Sequence, residues 1–238
     1  MEPDLPTALT PPGWQLDETA TAGRENLDAA HVARYDDKED ADAESEVALL
    51  QGLGIGGGST VVDLGAGTGQ FTVAMAATGA RVVAVDVSRV MLDRLRAKVA
   101  DLANVATTQA GFLTFDPAGA VDAVYSRYAL HHLPDFWKAV ALTNVHRMLR
   151  AGGTFRLWDI VYSFPATEAA QRVERWCGTG NGVVDDSWQR WELEEHVRDE
   201  HSTFSWLLEP MIEHAGFTID RAEYSDDRFS AKYVLVKP

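Results

Sequence analysis

The sequence predicts an α/β protein built on a doubly wound, mostly parallel sheet with helices on both faces. Three observations carry this. Between residues 59 and 162 short apolar runs alternate with stretches of helical length, the rhythm of successive βαβ units. The first apolar run passes into three glycines spaced two apart, "VVDLGAGTG" at 61–69, where a strand would turn into a helix. A chain of 238 residues that is 46% hydrophobic can bury one large core, or one core with an appended cap.

The elements follow in order. Residues 1–13 hold four prolines and few apolar side chains, so this segment is expected to be disordered or draped on the surface. From Leu27 to Leu50 the chain is acidic, with apolar positions sparse until Val47, Leu49 and Leu50; two short helices are expected, then a flexible connection, "QGLGIGGGST". "STVVDLG" reads as a buried strand and "QFTVAMAATG" as a helix closed by Gly79. "ARVVAVDVS" is a second strand, and the helix after it can take Ser88 as its N-cap. "VATTQAGF" and "VDAVYSRYAL" supply two more strands. A helix is expected from Pro134 to Leu149, with "RAGG" as its stop, before a fifth strand, "GTFRLWDIVY".

Between residues 163 and 202 the alternation breaks. This stretch carries Trp176, Trp188, Trp191, the loop "GTGNGVVDDS" and an amphipathic run, "WELEEHVRDEH", and reads as an insertion. A helix, "TFSWLLEPMIEHAG", and two strands, "FTIDRAEYS" and "SAKYVLVKP", close the chain. The organisation expected is an N-terminal segment with cap helices (1–50), a ligand-binding core (51–162), an insertion or lid (163–202) and the end of the sheet (203–238).

Composition narrows the function. The net charge is −15, from 36 acids against 21 bases, which disfavours a nucleic-acid substrate. Sixteen of those bases are arginine, a compositional hint of a GC-rich, bacterial genome. The single cysteine, Cys177, permits no internal disulfide and reads as a packing residue. No membrane-spanning run and no signal peptide are visible, so a cytoplasmic protein with no membrane partner is expected.

The glycines describe a ligand turn. Without a Cβ the backbone can approach a ligand closely, and the next helix offers free N–H groups. A dinucleotide fingerprint needs glycine or alanine three positions after the second glycine; that position is Gln70, which disfavours a nicotinamide-dependent dehydrogenase. Asp86 ends the second strand, where a carboxylate can accept from a ribose diol. Asp63 lies inside the first strand, where it can orient the turn and meet a cationic amino group.

"VVDLGAGTG", "VVAVDVS", "VDAVYSRYALHHLPD" and "LRAGGTFRLWD", in this order across residues 61–159, resemble the motifs of class I S-adenosylmethionine (SAM)-dependent methyltransferases. The resemblance implies a seven-stranded sheet with an antiparallel last strand and a helical cap, and SAM as cofactor, with S-adenosylhomocysteine as product. It places Asp63, Gly65, Ala66 and Gly67 along the methionine part of SAM, with Gly69 opening the helix. Asp86 would hold the ribose, while Val87 and Phe112 would flank the adenine. Ser126 and Arg127, at the end of the fourth strand, join the cofactor set. Where the family often carries an acid for the adenine amino group, this chain has Gly111, so that contact must come from elsewhere. Tyr35, in "RYD", resembles a residue that folds over SAM in many relatives.

Asp159, near the carboxyl end of the fifth strand, and the pair His131 and His132 are the catalytic candidates. Adjacent histidines also invite a metal, but no Cys, His or carboxylate cluster at ligand spacing accompanies them in the sequence, so none is expected. The function implied is methyl transfer to an O, N, S or C nucleophile of a small molecule. Two alternatives stay open: a SAM-binding protein of this fold without methyl transfer (a regulator or a cyclisation catalyst), and a macromolecule methyltransferase. The methyl acceptor and the oligomeric state are not legible in the sequence.

Overall fold

The computed structural model describes residues 7–8, 12–32, 42–117, 119–178 and 189–238. Seven strands form the main sheet: β1 (Thr60–Leu64), β2 (Arg81–Asp86), β3 (Val105–Gln109), β4 (Val121–Arg127), β5 (Leu149–Tyr162), β6 (Thr218–Tyr224) and β7 (Ser230–Val236). Their order across the sheet is β3-β2-β1-β4-β5-β7-β6. β1 to β5 run parallel, and β7 pairs antiparallel with both β5 and β6. The two-residue strand Thr203–Phe204 adds a short parallel pairing at the end of β5.

The helices are α1 (Ala43–Gly52), α2 (Gln70–Ala77), α3 (Arg89–Lys98), α4 (Asp135–Met148), α5 (Ala169–Cys177), α6 (Arg190–Asp199) and α7 (Ser205–His214). Alternate side chains of each strand point to opposite faces, and here both faces are apolar. Val61, Val82, Ala123 and Tyr125 meet Val47 and Leu50 of α1 and Phe71 and Met75 of α2. Val62, Val83, Val124 and Phe155 meet α4 and α7 through Leu142, Val145, Leu208 and Ile212. Burial on two sides explains why these strands read as continuous apolar runs. No helix among the described residues is long and apolar enough to cross a membrane.

Local expectations held where capping chemistry dictated them. Ser88 Oγ accepts from Met91 N–H at 3.2 Å at the start of α3. Gly79, with φ of 88°, follows the last turn of α2. The reading of "RAGG" as a stop outside the fifth strand needs correction. β5 begins at Leu149, immediately after α4, and the four residues form a bulge: β4 advances from Val121 to Ala123 while β5 advances from Leu149 to Thr154. The bulge is held because Gly152 N–H donates to Lys237 O and Lys237 N–H donates to Gly153 O. Of the acidic stretch expected to form two short helices, residues 33–41 lie outside the described residues. Arg24–Leu27 and Ala29–Val32 are single helical turns, and α1 is a full helix.

α1 is tied to the sheet by charge as well as by apolar contact. The guanidinium of Arg156, on β5, makes two hydrogen bonds to the Glu46 carboxylate, at 2.7 and 2.9 Å, and Lys232 Nζ adds a third at 3.1 Å. Both partners are buried, with side chains 1% and 3% exposed. Burial opposes ionisation of Glu46, but the two cations outweigh it and hold its carboxyl below the usual range. Removing one member of such a pair strands the other without compensation. Glu46→Ala is therefore expected to lower unfolding free energy by about 3–5 kcal/mol, and Glu46→Gln by less, in urea melts at neutral pH. Equal, sub-kcal effects for both would show that the pair contributes little to holding α1.

Candidate functional site

In an open parallel sheet the ligand crevice lies beyond the carboxyl ends of the strands, where the strand order reverses. Here β1 is followed by β2 on one side and has β4 on the other, so the crevice opens between the ends of β1 and β4. β1 enters it through the glycine turn. Gly65, Gly67 and Gly69 have φ of 80°, 53° and 87°, a region costing other L-residues roughly 1–2 kcal/mol each. Their surroundings separate their roles. A Cβ on Gly65 would stand 2.4 Å from Ala129 Cβ, and one on Gly69 2.6 Å from Leu95. A Cβ on Gly67 would meet nothing within 4 Å; it would point into the crevice.

Two carboxylates brace this turn. Asp86, at the end of β2, accepts from Gly67 N–H at 2.8 Å on one oxygen and from Ser88 N–H at 2.7 Å on the other. Each oxygen keeps a further acceptor direction. Asp63 in β1 accepts from Thr72 Oγ1 on α2 at 2.5 Å. Burial pushes the Asp86 carboxyl up to about 6 and that of Asp63 to about 7, with the charge of Asp86 adding to the latter. Phe71 of α2 stacks on Tyr125 of β4, ring centroids 3.7 Å apart, which fixes the helix against the strand beside the crevice.

Two adjoining cavities share Gly65, Gly67 and Arg127 in their walls. The smaller runs along Asp63, Ala66 and Thr68. The larger encloses about 610 Å³ of empty space, its open mouth included. Asp86, Val87, Gly111, Phe112 and His132 line it. The crevice thus gathers most of the residues expected to contact a cofactor. Gly69 and Ser126 stand behind it: Gly69 caps α2 against Leu95, and Ser126 is fully buried. Ser126 Oγ has no hydrogen-bond partner among the described residues. Tyr35 lies outside the described residues, as does Trp188.

The wall at Gly111 holds a residue that the sequence did not single out. Glu18 lays its carboxyl on Gly111, where a Cβ would stand 2.4 Å from Glu18 Oε1. Glu18 Oε2 accepts from Leu113 N–H at 3.1 Å and from Thr114 Oγ1 at 3.3 Å. Burial pushes this carboxyl up to about 7. The same N-terminal segment reaches the far side of the cavity, where Ser88 Oγ donates to Asn26 O at 2.5 Å and Asn26 Nδ2 lies 3.4 Å from His132 Nε2. The missing acid at Gly111 was the only hint in the sequence, and it could not name its replacement.

The catalytic candidates divide. His132 faces the larger cavity. Burial and the neighbouring His131 push its pKa down to about 3, so its ring is neutral; its Nδ1 has no hydrogen-bond partner among the described residues. His131 and Asp159 are withdrawn from the crevice. His131 Nδ1 lies 2.5 Å from Asp159 Oδ1, and Asp159 also accepts from the N–H groups of His131 and Ile160. The other ring nitrogen of His131 is 3.1 Å from Glu200 Oε2, beyond the end of α6. Burial opposes protonation of His131, but Asp159 and Glu200 outweigh it and raise its pKa to about 10.

His196 and Glu200 of the 163–202 segment therefore meet the core beside Asp159. Within that segment Trp176 stacks on Phe229 at 4.7 Å, while Trp191 is 48% exposed. Cys177 is buried, and burial pushes its thiol up, as suits a packing residue. The sequence spacing that argued against a metal misses a juxtaposition made by the fold, since His196 and Glu200 of this segment lie against His131.

Comparison with known proteins gives concordant results. Residues 61–153 match the family model described as "Methyltransferase domain". Proteins of Bacillus thuringiensis and Bacillus cereus, each named an uncharacterized methyltransferase, are 32% identical over 103 residues, covering 43% of this chain and 48% of theirs. The match thus spans about half the length of these curated relatives. Among solved structures, the Haemonchus contortus phosphoethanolamine N-methyltransferase 2 complexed with phosphomonomethylethanolamine and S-adenosylhomocysteine superposes with TM-score 0.69 at 15% identity, covering 94% of this chain and 61% of that one. Magnesium protoporphyrin IX methyltransferase from Synechocystis, with bound SAH, gives 0.62 at 17% identity, covering 92% of each chain. At such identities the structural likenesses establish the fold alone.

The burial of Asp63 has a measurable consequence in the unliganded protein. Its folded pKa of about 7 exceeds the unfolded value of about 3.9. Its contribution to stability is therefore fully present below pH about 4 and is lost as pH rises through 7. Asp63→Asn keeps an acceptor for Thr72 without the charge. It should unfold at the same urea concentration as wild type near pH 4 and become more stable than wild type by roughly 2–4 kcal/mol at pH 8. A stability gap that does not change with pH would contradict the assignment.

Proposed function

Residues 61–153 being a class I SAM-dependent methyltransferase domain of Rossmann-like fold, we propose that the whole chain binds SAM in the crevice between β1 and β4 and passes its methyl group to a small molecule. The observation that carries this reading is the turn at Gly67. It is clamped by the Asp86 carboxylate, and its Cβ direction is open space between two joined cavities. That is a backbone cradle with a carboxylate at its rim, and a side chain at 67 would fill it. The donor set fits SAM: Asp63 for the methionine end, Asp86 for the ribose diol, Val87 and Phe112 for the adenine faces.

SAM supplies a methyl group already activated on a sulfonium, displaced in line by the acceptor's nucleophilic atom. The chain's part is alignment and exclusion of water, worth up to roughly 7–11 kcal/mol in favourable cases. His132, neutral and lining the larger cavity, would accept a hydrogen bond from the acceptor. Asp159 and His131 act behind it as a positioning pair. The charge of −15 favours a small acceptor over a nucleic acid. The described parts of the N-terminal segment and of residues 163–202 would form the cover.

Calorimetry with S-adenosylhomocysteine tests the cofactor. One site per chain is expected, with no binding of nicotinamide dinucleotides. Asp86→Ala should weaken binding by about 1.5–3 kcal/mol, the scale of hydrogen bonds to a charged group. Gly67→Ala should fold, at a backbone cost of roughly 1–2 kcal/mol, yet bind at least tenfold more weakly. A folded Gly67→Ala protein with wild-type affinity would remove the cradle from the site. Transfer of label from methyl-labelled SAM should go to a metabolite pool; label recovered in RNA or protein instead would overturn the small-molecule reading.

A further inference from the structure

His131, His196 and Glu200 converge at the junction of the core with the 163–202 segment. His131 Nε2, His196 Nδ1 and a Glu200 carboxylate oxygen all lie within 4.8 Å of one another. His196 and Glu200 are four residues apart at the end of α6, so a helical turn presents both to one side. His131 arrives from the short 3-10 turn Leu130–His132 after β4. The side chains are 6%, 13% and 15% exposed.

From this we propose that the three side chains hold one divalent transition-metal ion, which fastens the 163–202 segment to the core. Two features point to an ion and not only to an ion pair. First, each imidazole has its far nitrogen already engaged: His131 Nδ1 by Asp159 and His196 Nε2 by Ser202 Oγ at 2.9 Å. Outer partners of this kind fix the tautomer and aim the remaining nitrogen in histidine–metal sites. Second, both remaining nitrogens lie against the same oxygen, Glu200 Oε2, one at 3.1 Å and the other in direct contact, yet that buried oxygen has no aligned hydrogen bond among the described residues.

The ligand set selects among metals. Two imidazole nitrogens and one carboxylate suit zinc and its first-row neighbours, not the oxygen-only preference of calcium or magnesium. At metal–ligand distances of about 2.0–2.2 Å the donor atoms stand roughly 3–4 Å apart, so shifts under about 1 Å close the shell. The role is structural: His131 and Asp159 are withdrawn from the cavity that His132 lines.

The test uses the full chain, treated with chelator, desalted and titrated with Zn²⁺ alone, then with Co²⁺ as a spectroscopic probe. One equivalent of Zn²⁺ should bind and raise the melting temperature, and Co²⁺ should give visible bands of low-symmetry histidine–carboxylate coordination. His196→Ala should abolish the tight site. Asp159→Asn, which touches no metal, should weaken it about 10–100-fold through His131. Glu200→Gln keeps the size of the side chain and should also lose the site. His214→Ala, at the exposed end of α7, serves as the surface-histidine control and should bind as wild type does. S-adenosylhomocysteine binding reports that each variant is folded. Failure of wild type to bind either ion, or equal binding by His196→Ala and wild type, would overturn the site. Neither outcome bears on the methyltransferase reading, which stands on the crevice.

Discussion

The Asp86 carboxylate fixes the geometry on which the crevice depends. Three successive positive-φ glycines make a turn with little intrinsic preference for one shape. Asp86 restricts it by accepting from Gly67 on one oxygen and from Ser88 at the start of α3 on the other. The turn after β1 and the turn after β2 are thereby held to a single group. Burial makes that group costly to ionise, and the two N–H donors offset part of the cost. A ligand that adds donors on the remaining lone pairs offsets more. Strain at the turn and ligand recognition therefore draw on one carboxylate.

The same logic places buried charge elsewhere in the molecule. Glu46 with Arg156 and Lys232, and His131 with Asp159 and Glu200, are ionisable clusters that join segments flanking the sheet to the sheet itself. Apolar packing alone could hold α1 or the 163–202 segment on the core in several registers. Charge-assisted pairs are directional, so each favours one docking position.

What the sequence made legible followed interaction range. Strand alternation, the Ser88 cap, the glycine turn and Asp86 could be read because each is a local pattern, set by periodicity, capping or a forced backbone angle. The bulge at "RAGG" was misread for the same reason: its partner is Lys237, at the other end of the chain. Glu18 over Gly111, Glu46 against Arg156, and His196 with Glu200 against His131 leave no local trace, since 65 or more residues separate the partners. Of the candidate site, the floor was legible and the walls were not.

Glu18 carries a consequence beyond recognition. It bonds to Leu113 across a separation of 95 residues, whereas the neighbouring β1, β2 and β3 pair within a few tens of residues. Closing so long a loop is entropically unfavourable until the sheet exists to receive it. The wall beside Gly111 therefore comes from a segment outside the sheet, docked on it by the Glu18 carboxylate. Release of that one carboxylate would uncover the crevice at Gly111 and leave the sheet beneath it intact.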